Sequence, residues 1–372
     1  MVKSLLAIFA VLIPILMVIA FVTIAERKIM GSMQRRCGPN AVGIFGLLQP
    51  FADALKLLFK EIIIPRQANS KLFIIGPFIT LIFSLLGWSV IPYAEGITIF
   101  DFELGILVAI AIASLGSYGI LISGWSANSK YAFIGSIRST AQLLSYELVL
   151  SSIIFLIIIF AGSFSFTLLI ESQKSVWYII PLLPIALMFF VSILAETNRA
   201  PFDLPEAESE LVAGFMTEHS ASVFVFFFLG EYSSLILMSA LMTIFFLGGY
   251  LSPDLYNLIP SGVDFNIYHF PEFLLGKSWG IFIYDTKNNF INSLIIFLDK
   301  FENSFTFGFK VIIIVFLFIW VRASFPRLRY DQLMSLCWKA LLPLVFAYII
   351  FTLSLLFVFD MFPVAPLFVG WI

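Results

Sequence analysis

A series of long apolar runs, separated by shorter polar segments, is the feature that most constrains the fold of this chain. A helix needs roughly 20 apolar residues to cross a hydrocarbon core of about 30 Å, because each residue adds about 1.5 Å. Backbone groups in lipid must find hydrogen-bond partners within the protein, so such runs indicate helices. The sequence therefore predicts an all-α membrane protein with eight transmembrane helices, at residues 4–25, 72–93, 104–125, 141–162, 177–195, 220–249, 307–324 and 337–360.

Composition supports this class and excludes others. Only 12% of the residues are charged, against about 25% in a soluble domain. A net charge of -2 provides no basic surface, so nucleic acid is not an expected partner. The two cysteines, Cys37 and Cys337, cannot supply the four ligands of an iron–sulfur cluster, and the isolated His219 and His269 indicate no metal site. We expect any redox centre to belong to a partner or to a diffusible ligand.

Lysine and arginine predict the orientation of the helices. Of 21 such residues, 15 lie in the loops after the first, third, fifth and seventh predicted helices. By the positive-inside rule these loops face the cytoplasm or matrix, and both termini face the opposite side. We interpret residues 1–372 as one membrane domain in which 250–306 form an extended loop or insert on the outer face. The N-terminal sequence resembles neither a cleaved signal nor a transit peptide. Because the 44 phenylalanines suggest AT-rich coding, we favour the mitochondrial inner membrane over a bacterial plasma membrane.

The pattern of apolar and polar residues at 49–61 predicts an amphipathic helix that lies in the membrane interface. Pro50 suits the first turn of such a helix. The apolar stripe consists of Phe51, Leu55, Leu58 and Ile62, and the polar stripe of Asp53, Lys56 and Lys60. This pattern is typical of a membrane-surface anchor.

The stretch LAETNRAPFDLPEAESELVAGF, residues 194–215, concentrates acids between two apolar runs. It holds a single cation, Arg199, beside five carboxylates: Glu196, Asp203, Glu206, Glu208 and Glu210. Like charges raise one another's pKa, so such a cluster could hold or pass protons near neutral pH. The alternative is a solvated acidic loop, which is the usual role of a charge run.

Further acids lie within or beside predicted helices. Glu147 lies in the fourth helix, Glu231 in the sixth, and Glu218 near the start of the sixth. A carboxyl at bilayer depth costs roughly 2.5 kcal/mol or more and usually marks an ion or proton path. With Glu210, these acids could form a polar line that runs inward from the acidic loop. Each alone could instead be a hydrogen-bonded packing residue.

The loop after the seventh predicted helix reads WVRASFPRLRYDQLMSLCWKALLP. It carries Arg322, Arg327, Arg329 and Asp331. This density of charge favours either a fixed ion-pair network or a surface for partner docking. A plain positive-inside anchor is the alternative.

Four motifs together resemble the family of subunit 1 of NADH dehydrogenase, respiratory complex I. They are AERKxxGxMQxRxGPN, QPFADAxKLxxKE, AETNRAPFDLxExESELVxGF and WVRAxFPRxRYDQLMxLxWK, and they span most of the chain. The resemblance implies a subunit of a proton-pumping NADH:ubiquinone reductase that has no complete redox activity alone. Ubiquinone is then the substrate, while NADH, flavin and iron–sulfur clusters belong to partner subunits. The implied partners are the iron–sulfur subunit with the terminal cluster, the quinone-site peripheral subunit, the antiporter-like membrane subunits and the lipid bilayer.

The resemblance also implies roles for particular residues, none of them catalytic. The implied quinone-tunnel residues are Arg27, Arg36, Phe51, Asp53, Lys56, Arg199, Phe202, Asp203, Glu206 and Glu208. The implied proton-path residues are Glu26, Glu147, Glu196, Glu210, Glu218 and Glu231. The segment 250–306 departs from the family pattern by its length, and we expect it to contact a lineage-specific subunit. A related membrane-bound hydrogenase subunit, a stand-alone ion transporter and an inert scaffold are the competing interpretations.

Overall fold

The computed structural model describes residues 2–203, 214–252 and 289–359, with side chains described for 8–203, 214–252 and 300–359. Within these ranges the chain is helical and forms no β-strand. The helices are α1 (Val2–Met33), α2 (Gln49–Leu58), α3 (Ser70–Leu86), α4 (Gly105–Ser126), α5 (Lys130–Ala161), α6 (Phe166–Ser172), α7 (Leu183–Glu196), α8 (Ala221–Phe246), α9 (Asn289–Ser324), α10 (Tyr330–Ser335) and α11 (Leu342–Val358). A π-helical turn, Leu336–Leu341, joins α10 to α11.

Seven helical segments of the described chain are long and apolar enough to cross a membrane. They are Ile8–Met33, Ser70–Ser89, Gly105–Ser126, Lys130–Ala161, Ala221–Phe246, Lys300–Ser324 and Tyr330–Val358. Each contains most of one predicted span, which confirms the all-α membrane class. The predicted insert lies mainly outside the described residues, and its last part, from Asn289, belongs to α9.

The fifth predicted span, 177–195, is shorter in the structure than in the prediction. Its helix α7 has 14 residues and covers about 21 Å at 1.5 Å per residue, less than a hydrocarbon core of about 30 Å. Pro184 lies in the first turn of α7, and Pro181 precedes it. Proline has no N–H to donate and clashes with the preceding turn, so the helix begins here rather than at residue 177.

Two other helices differ from the predicted bounds for local reasons. Helix α5 begins at Lys130 instead of 141, because the Ser129 hydroxyl accepts a hydrogen bond from the Ala132 amide at 3.3 Å and caps the helix. Helix α2 ends at Leu58 instead of 61. The isoleucines at 62–64 and the following Pro65 favour an extended backbone, which excludes a further helical turn.

Helices α5 and α8 form the centre of the bundle. Ile153, Leu156 and Ile157 of α5 and Ile244 and Phe246 of α8 are fully buried. Apolar side chains on the surrounding helices are exposed instead, for example Leu187 at 59% and Ile350 at 70%. An apolar exterior around a helical core suits a lipid environment.

A buried lysine closes the C-terminal end of α8. The carbonyls at the end of a helix and in the turn that follows it need partners outside the helix. Lys310 of α9 donates hydrogen bonds to the carbonyls of Leu247 at 2.7 Å, Gly249 at 2.9 Å and Leu251 at 2.6 Å. Its ammonium also lies 4.5 Å from the ring centroid of Trp177. A cation at this position is favoured by the helix dipole, and it fixes α9 to the end of α8.

Candidate functional site: a buried ion cluster joined to acidic cavities

Glu26 is the centre of a buried ion cluster. Arg199 Nη1 donates a hydrogen bond to Glu26 Oε1 at 2.6 Å, and Arg322 Nη1 donates to the same oxygen. The Tyr232 hydroxyl donates to Glu26 Oε2 at 2.6 Å. The residue Glu26 is 3% exposed. It therefore joins α1 to the loop after α7, to α8 and to α9, and its negative charge compensates two arginines.

The cluster extends to two further acids. Asp203 is buried and forms an ion pair with Arg327, Oδ2 to Nη2, at 3.3 Å. A small cavity of about 10 Å³ is lined by Arg199, Asp203, Glu231 and Arg322, among others. In the described part of the chain, three acids here face three arginines, so the cluster is close to electroneutral. Its low charge reduces the cost of burying ionic groups.

Arg199 is held in place by its backbone and by its ring contact. Its amide donates to the Leu194 carbonyl at 3.1 Å, and its carbonyl accepts from Phe202 N at 2.8 Å. The guanidinium lies 4.3 Å from the ring centroid of Tyr232. Burial lowers the pKa of Arg199, but Tyr232 and Glu26 outweigh this effect and raise it above the usual value. The side chain is therefore a fixed positive charge.

A larger cavity of about 100 Å³ begins next to the cluster. Its lining includes Glu196, Asn198 and Glu231 together with hydroxyls of α3 and α4. Glu196 Oε2 and Asn198 Oδ1 are buried and have no hydrogen-bond partner among the described residues. Since a water molecule needs about 10–15 Å³ of such volume and two to four polar partners, this cavity suits water.

Glu196 also lines a second cavity, of about 30 Å³, with Glu147 of α5. Three half-buried acids, Glu231, Glu196 and Glu147, thus follow one another along shared cavities that start at Arg199. The sequence predicted a polar line of Glu147, Glu218, Glu231 and Glu210, and the resemblance added Glu196. Glu196 shares one cavity with Glu231 and another with Glu147, and a proton path along these acids stays a prediction. Glu218 is half-buried but does not line these cavities.

The other tunnel candidates lie at the α1–α2 surface or beside the cluster. Arg27 forms an ion pair with Asp53 at 3.0 Å, with both side chains well exposed, and this pair joins α1 to α2. Phe51 packs edge-on against Phe21 at 6.4 Å between ring centroids.

The remaining tunnel candidates differ in burial. Arg36 and Lys56 are exposed, whereas Phe202 is buried with its ring centroid 5.9 Å from that of Tyr146. Three predicted acids, Glu206, Glu208 and Glu210, lie outside the described residues.

The arginine-rich loop after α9 divides into two parts. Arg322 and Arg327 bind acids of this chain, as an ion-pair network requires. Arg329 and Asp331 are exposed. Docking of a partner through these residues stays a prediction.

Sequence reasoning missed Tyr232, which binds Glu26 and contacts Arg199. Tyr232 directly follows Glu231 within an apolar helix. A phenolic hydroxyl at bilayer depth needs a hydrogen-bond partner, and this requirement was a signal that the residue faces a polar group.

His219 is a buried histidine whose ionisation should affect stability. Its ring lies between Phe73 and Phe227, at 4.0 and 5.1 Å between centroids. Neither ring nitrogen has a hydrogen-bond partner among the described residues. Burial lowers the pKa of His219 to about 4, so the unfolded chain binds an extra proton between pH 4 and about 6.5.

We therefore expect His219 to lower stability as pH falls through this window, by up to about 3 kcal/mol. His219→Phe removes the titrating group and should flatten the pH dependence of the melting temperature between pH 7 and pH 5. Thermal unfolding of the wild-type and variant complexes at both pH values measures this effect. An equal loss of stability in both proteins on acidification would contradict the burial of a neutral imidazole.

Comparison with known proteins agrees with the architecture. A family model described as NADH dehydrogenase matches residues 6–353. The chain is 57% identical to NADH-ubiquinone oxidoreductase chain 1 of Podospora anserina over 365 residues, which cover 97% of each protein. It is 54% identical to the protein of the same name from Mycosarcoma maydis, over 97% of this chain and 98% of the relative. It is 47% identical to a bacterial relative, an NADH-quinone oxidoreductase subunit from Rickettsia bellii, over 96% of this chain and 95% of the relative. The resemblance of the four motifs is thereby confirmed, and the chain belongs to the NADH dehydrogenase family.

Proposed function

We propose that this chain is the quinone-site membrane subunit of a proton-translocating NADH:ubiquinone oxidoreductase. It forms the quinone tunnel with peripheral-arm subunits, one of which carries the terminal iron–sulfur cluster. It transmits the effect of quinone reduction through its acids toward the antiporter-like subunits. The complex lies in the mitochondrial inner membrane, where the seven long helices and the shorter α7, together with the turn before it, make eight spans, α2 lies in the interface, and both termini face outward.

One observation supports this proposal most strongly. Glu231, Glu196 and Glu147 line successive cavities that begin at the ion cluster of Glu26, Arg199 and Arg322. Acids are costly at bilayer depth, and a packing role does not require them to share cavities. An inert scaffold would not need this arrangement.

The proposed coupling rests on charge. Reduction of a quinone to a quinol takes up two electrons and two protons, which changes the charge and proton demand beside the acidic loop. Carboxylates near that site respond because their proton occupancy depends on neighbouring charges. Asp203 lies where the acidic loop joins the ion cluster, so a change at Glu206, Glu208 or Glu210 can be passed to Arg199 and then to Glu231. Water in the cavities would carry protons between the acids.

The acids of the loop provide the direct test. We expect Glu206→Gln and Glu210→Gln each to lower turnover by about fivefold or more, since coupling between sites is typically about 1–3 kcal/mol. The number of protons moved per NADH should also fall. Both quantities are measured on the purified complex in proteoliposomes, with quinone reduction and proton uptake recorded together.

Glu171→Gln is the matched control, because Glu171 is an exposed carboxylate on α6, outside the cavities. It should leave turnover and proton yield unchanged. Normal quinone reduction with normal proton yield in both loop variants would count against the proposal.

A further inference from the structure

Gln142 of α5 holds two points of the loop that follows α7. Its side chain is fully buried. Its Nε2 donates hydrogen bonds to the Ala195 carbonyl at 2.8 Å and to the Phe202 carbonyl at 2.9 Å. Carbonyls only accept hydrogen bonds, so the amide nitrogen, and not its oxygen, must face them. Both bonds therefore depend on the two protons of one NH₂ group.

The two carbonyls belong to the residues that precede two acids of the site. Ala195 precedes Glu196, which lines the acidic cavities, and Phe202 precedes Asp203, which pairs with Arg327. Between them lies Arg199, which binds Glu26. One side chain thus fixes the distance between the end of α7 and the start of the acidic segment.

Gln142 is attached to a rigid support. One turn further along α5, the Tyr146 hydroxyl donates to the Leu333 carbonyl of α10 at 3.2 Å, and its ring contacts Phe202. Cys337 Sγ donates to the Ser145 carbonyl at 3.3 Å. This part of α5 is therefore fixed against the α10–α11 region, so the backbone that carries Gln142 is held rigidly relative to the loop.

The amide oxygen of Gln142 also indicates that this residue does more than fill space. Gln142 Oε1 is buried and has no hydrogen-bond partner among the described residues. An unsatisfied buried acceptor is unfavourable, so an apolar side chain would be expected here if the position served packing alone.

We propose that Gln142 is a positioning residue that couples the acidic loop to Glu196. This inference rests on the proposed function. A displacement of the loop at Phe202 and Asp203 strains a bond to the same amide that holds Ala195, so the end of α7 and its acid move with the loop. Gln142 touches neither the reacting quinone nor a transferred proton.

The test compares two buried glutamines in the assembled complex. Gln142→Met keeps the length of the side chain and removes both donors. Gln173 is equally buried, and it donates to the Ile244 carbonyl at 2.8 Å and accepts from Gly248 N at 3.0 Å near the C-terminal end of α8. Gln173→Met is therefore a matched structural control, away from the acidic cavities.

We expect Gln142→Met to lower turnover by about fivefold or more, because the loop and Glu196 lose their shared support and coupling between sites is typically about 1–3 kcal/mol. Protons moved per NADH should fall as well, with an unchanged KM for quinone. Gln173→Met should reduce the amount of assembled complex or its melting temperature and leave the proton yield of the assembled fraction normal. A normal proton yield in Gln142→Met would overturn the inference.

The variant Gln142→Glu tests the positioning role through the pH dependence of turnover, which a purely structural role of this residue would not change. A protonated carboxyl can donate one hydrogen bond to these carbonyls, whereas a carboxylate can donate none. Turnover of this variant, relative to wild type, should rise as the pH falls. Turnover equal to that of wild type at every pH would overturn the inference even if the methionine variant fails to assemble.

The experiments distinguish a failure of the positioning role from a failure of the proposed function. If Glu210→Gln lowers proton yield and Gln142→Met does not, the positioning role is wrong and the proposed function stands. If Glu206→Gln, Glu210→Gln and Gln142→Met all give normal yields, both are wrong.

Discussion

Replacing Glu26 by glutamine is expected to lower the stability of the assembled protein by about 3–5 kcal/mol, because the buried Arg199 and the half-buried Arg322 lose their shared counter-charge. Arg199 and Arg322 both donate to Glu26 Oε1. A glutamine placed here offers no negative charge to either guanidinium group. Asp203 and Glu231 would then be left to compensate three arginines, beside a residue that is 3% exposed.

The measurement is thermal unfolding of the purified complex, together with the yield of assembled complex and its turnover. Asp53→Asn is the matched control, since Asp53 also pairs with an arginine, Arg27, but at an exposed site. Exposed pairs contribute about 0–1 kcal/mol, so this variant should assemble normally. The double variant Glu26→Gln, Arg322→Met should recover part of the loss, because it removes one of the two excess charges. A Glu26→Gln complex as stable as wild type would show that the cluster does not depend on this carboxylate.

Replacing Lys310 by methionine is the second change with a large expected effect. Lys310 is 7% exposed, and its ammonium donates to three carbonyls in the segment that directly follows α8. Methionine fills a similar volume but leaves these acceptors without their charged donor. Hydrogen bonds to charged groups contribute about 1.5–3 kcal/mol each, and relief from burying the charge offsets part of the loss. We expect the free energy of unfolding to fall by about 2–4 kcal/mol.

Lys300→Met, on the same helix, is the control for this change. Lys300 is half-exposed, and its loss should alter stability by less than about 0.5 kcal/mol. The melting temperatures of the two variant complexes show whether Lys310 stabilises the protein more than Lys300 does. The proton yield of whatever Lys310→Met complex assembles should be normal, since this lysine lies outside the acidic cavities. Equal melting temperatures for both variants would contradict the capping role.

The limits of prediction are clearest at α7 and at the acids. The apolar run at 177–195 was recognised, but its helix begins at Leu183, because the effect of two prolines on its first turns outweighed the hydropathy of the run. Glu147 and Glu231 were expected to lie on one polar line with Glu218 and Glu210. Glu196 shares one cavity with Glu231 and another with Glu147, whereas Glu218 lines neither. Gln142 and Tyr232 were not expected at the site, since a neutral polar residue in an apolar helix gives no sign of which partner it faces.

The sequence by itself determined the class of the protein, its family and the chemical types that the site contains. Long apolar runs specify helices because lipid offers the backbone no hydrogen-bond partners, and carboxylates inside them are rare enough to mark function. Only the tertiary structure decided that Glu26 meets Arg199, 173 residues away, and Arg322, 296 residues away. The physical reason is that helices which are apolar on every side carry no polarity pattern that identifies their buried face or their neighbour. Packing of α1, α8 and α9 supplies that information, and with it the pairing of charges on which the proposed coupling depends.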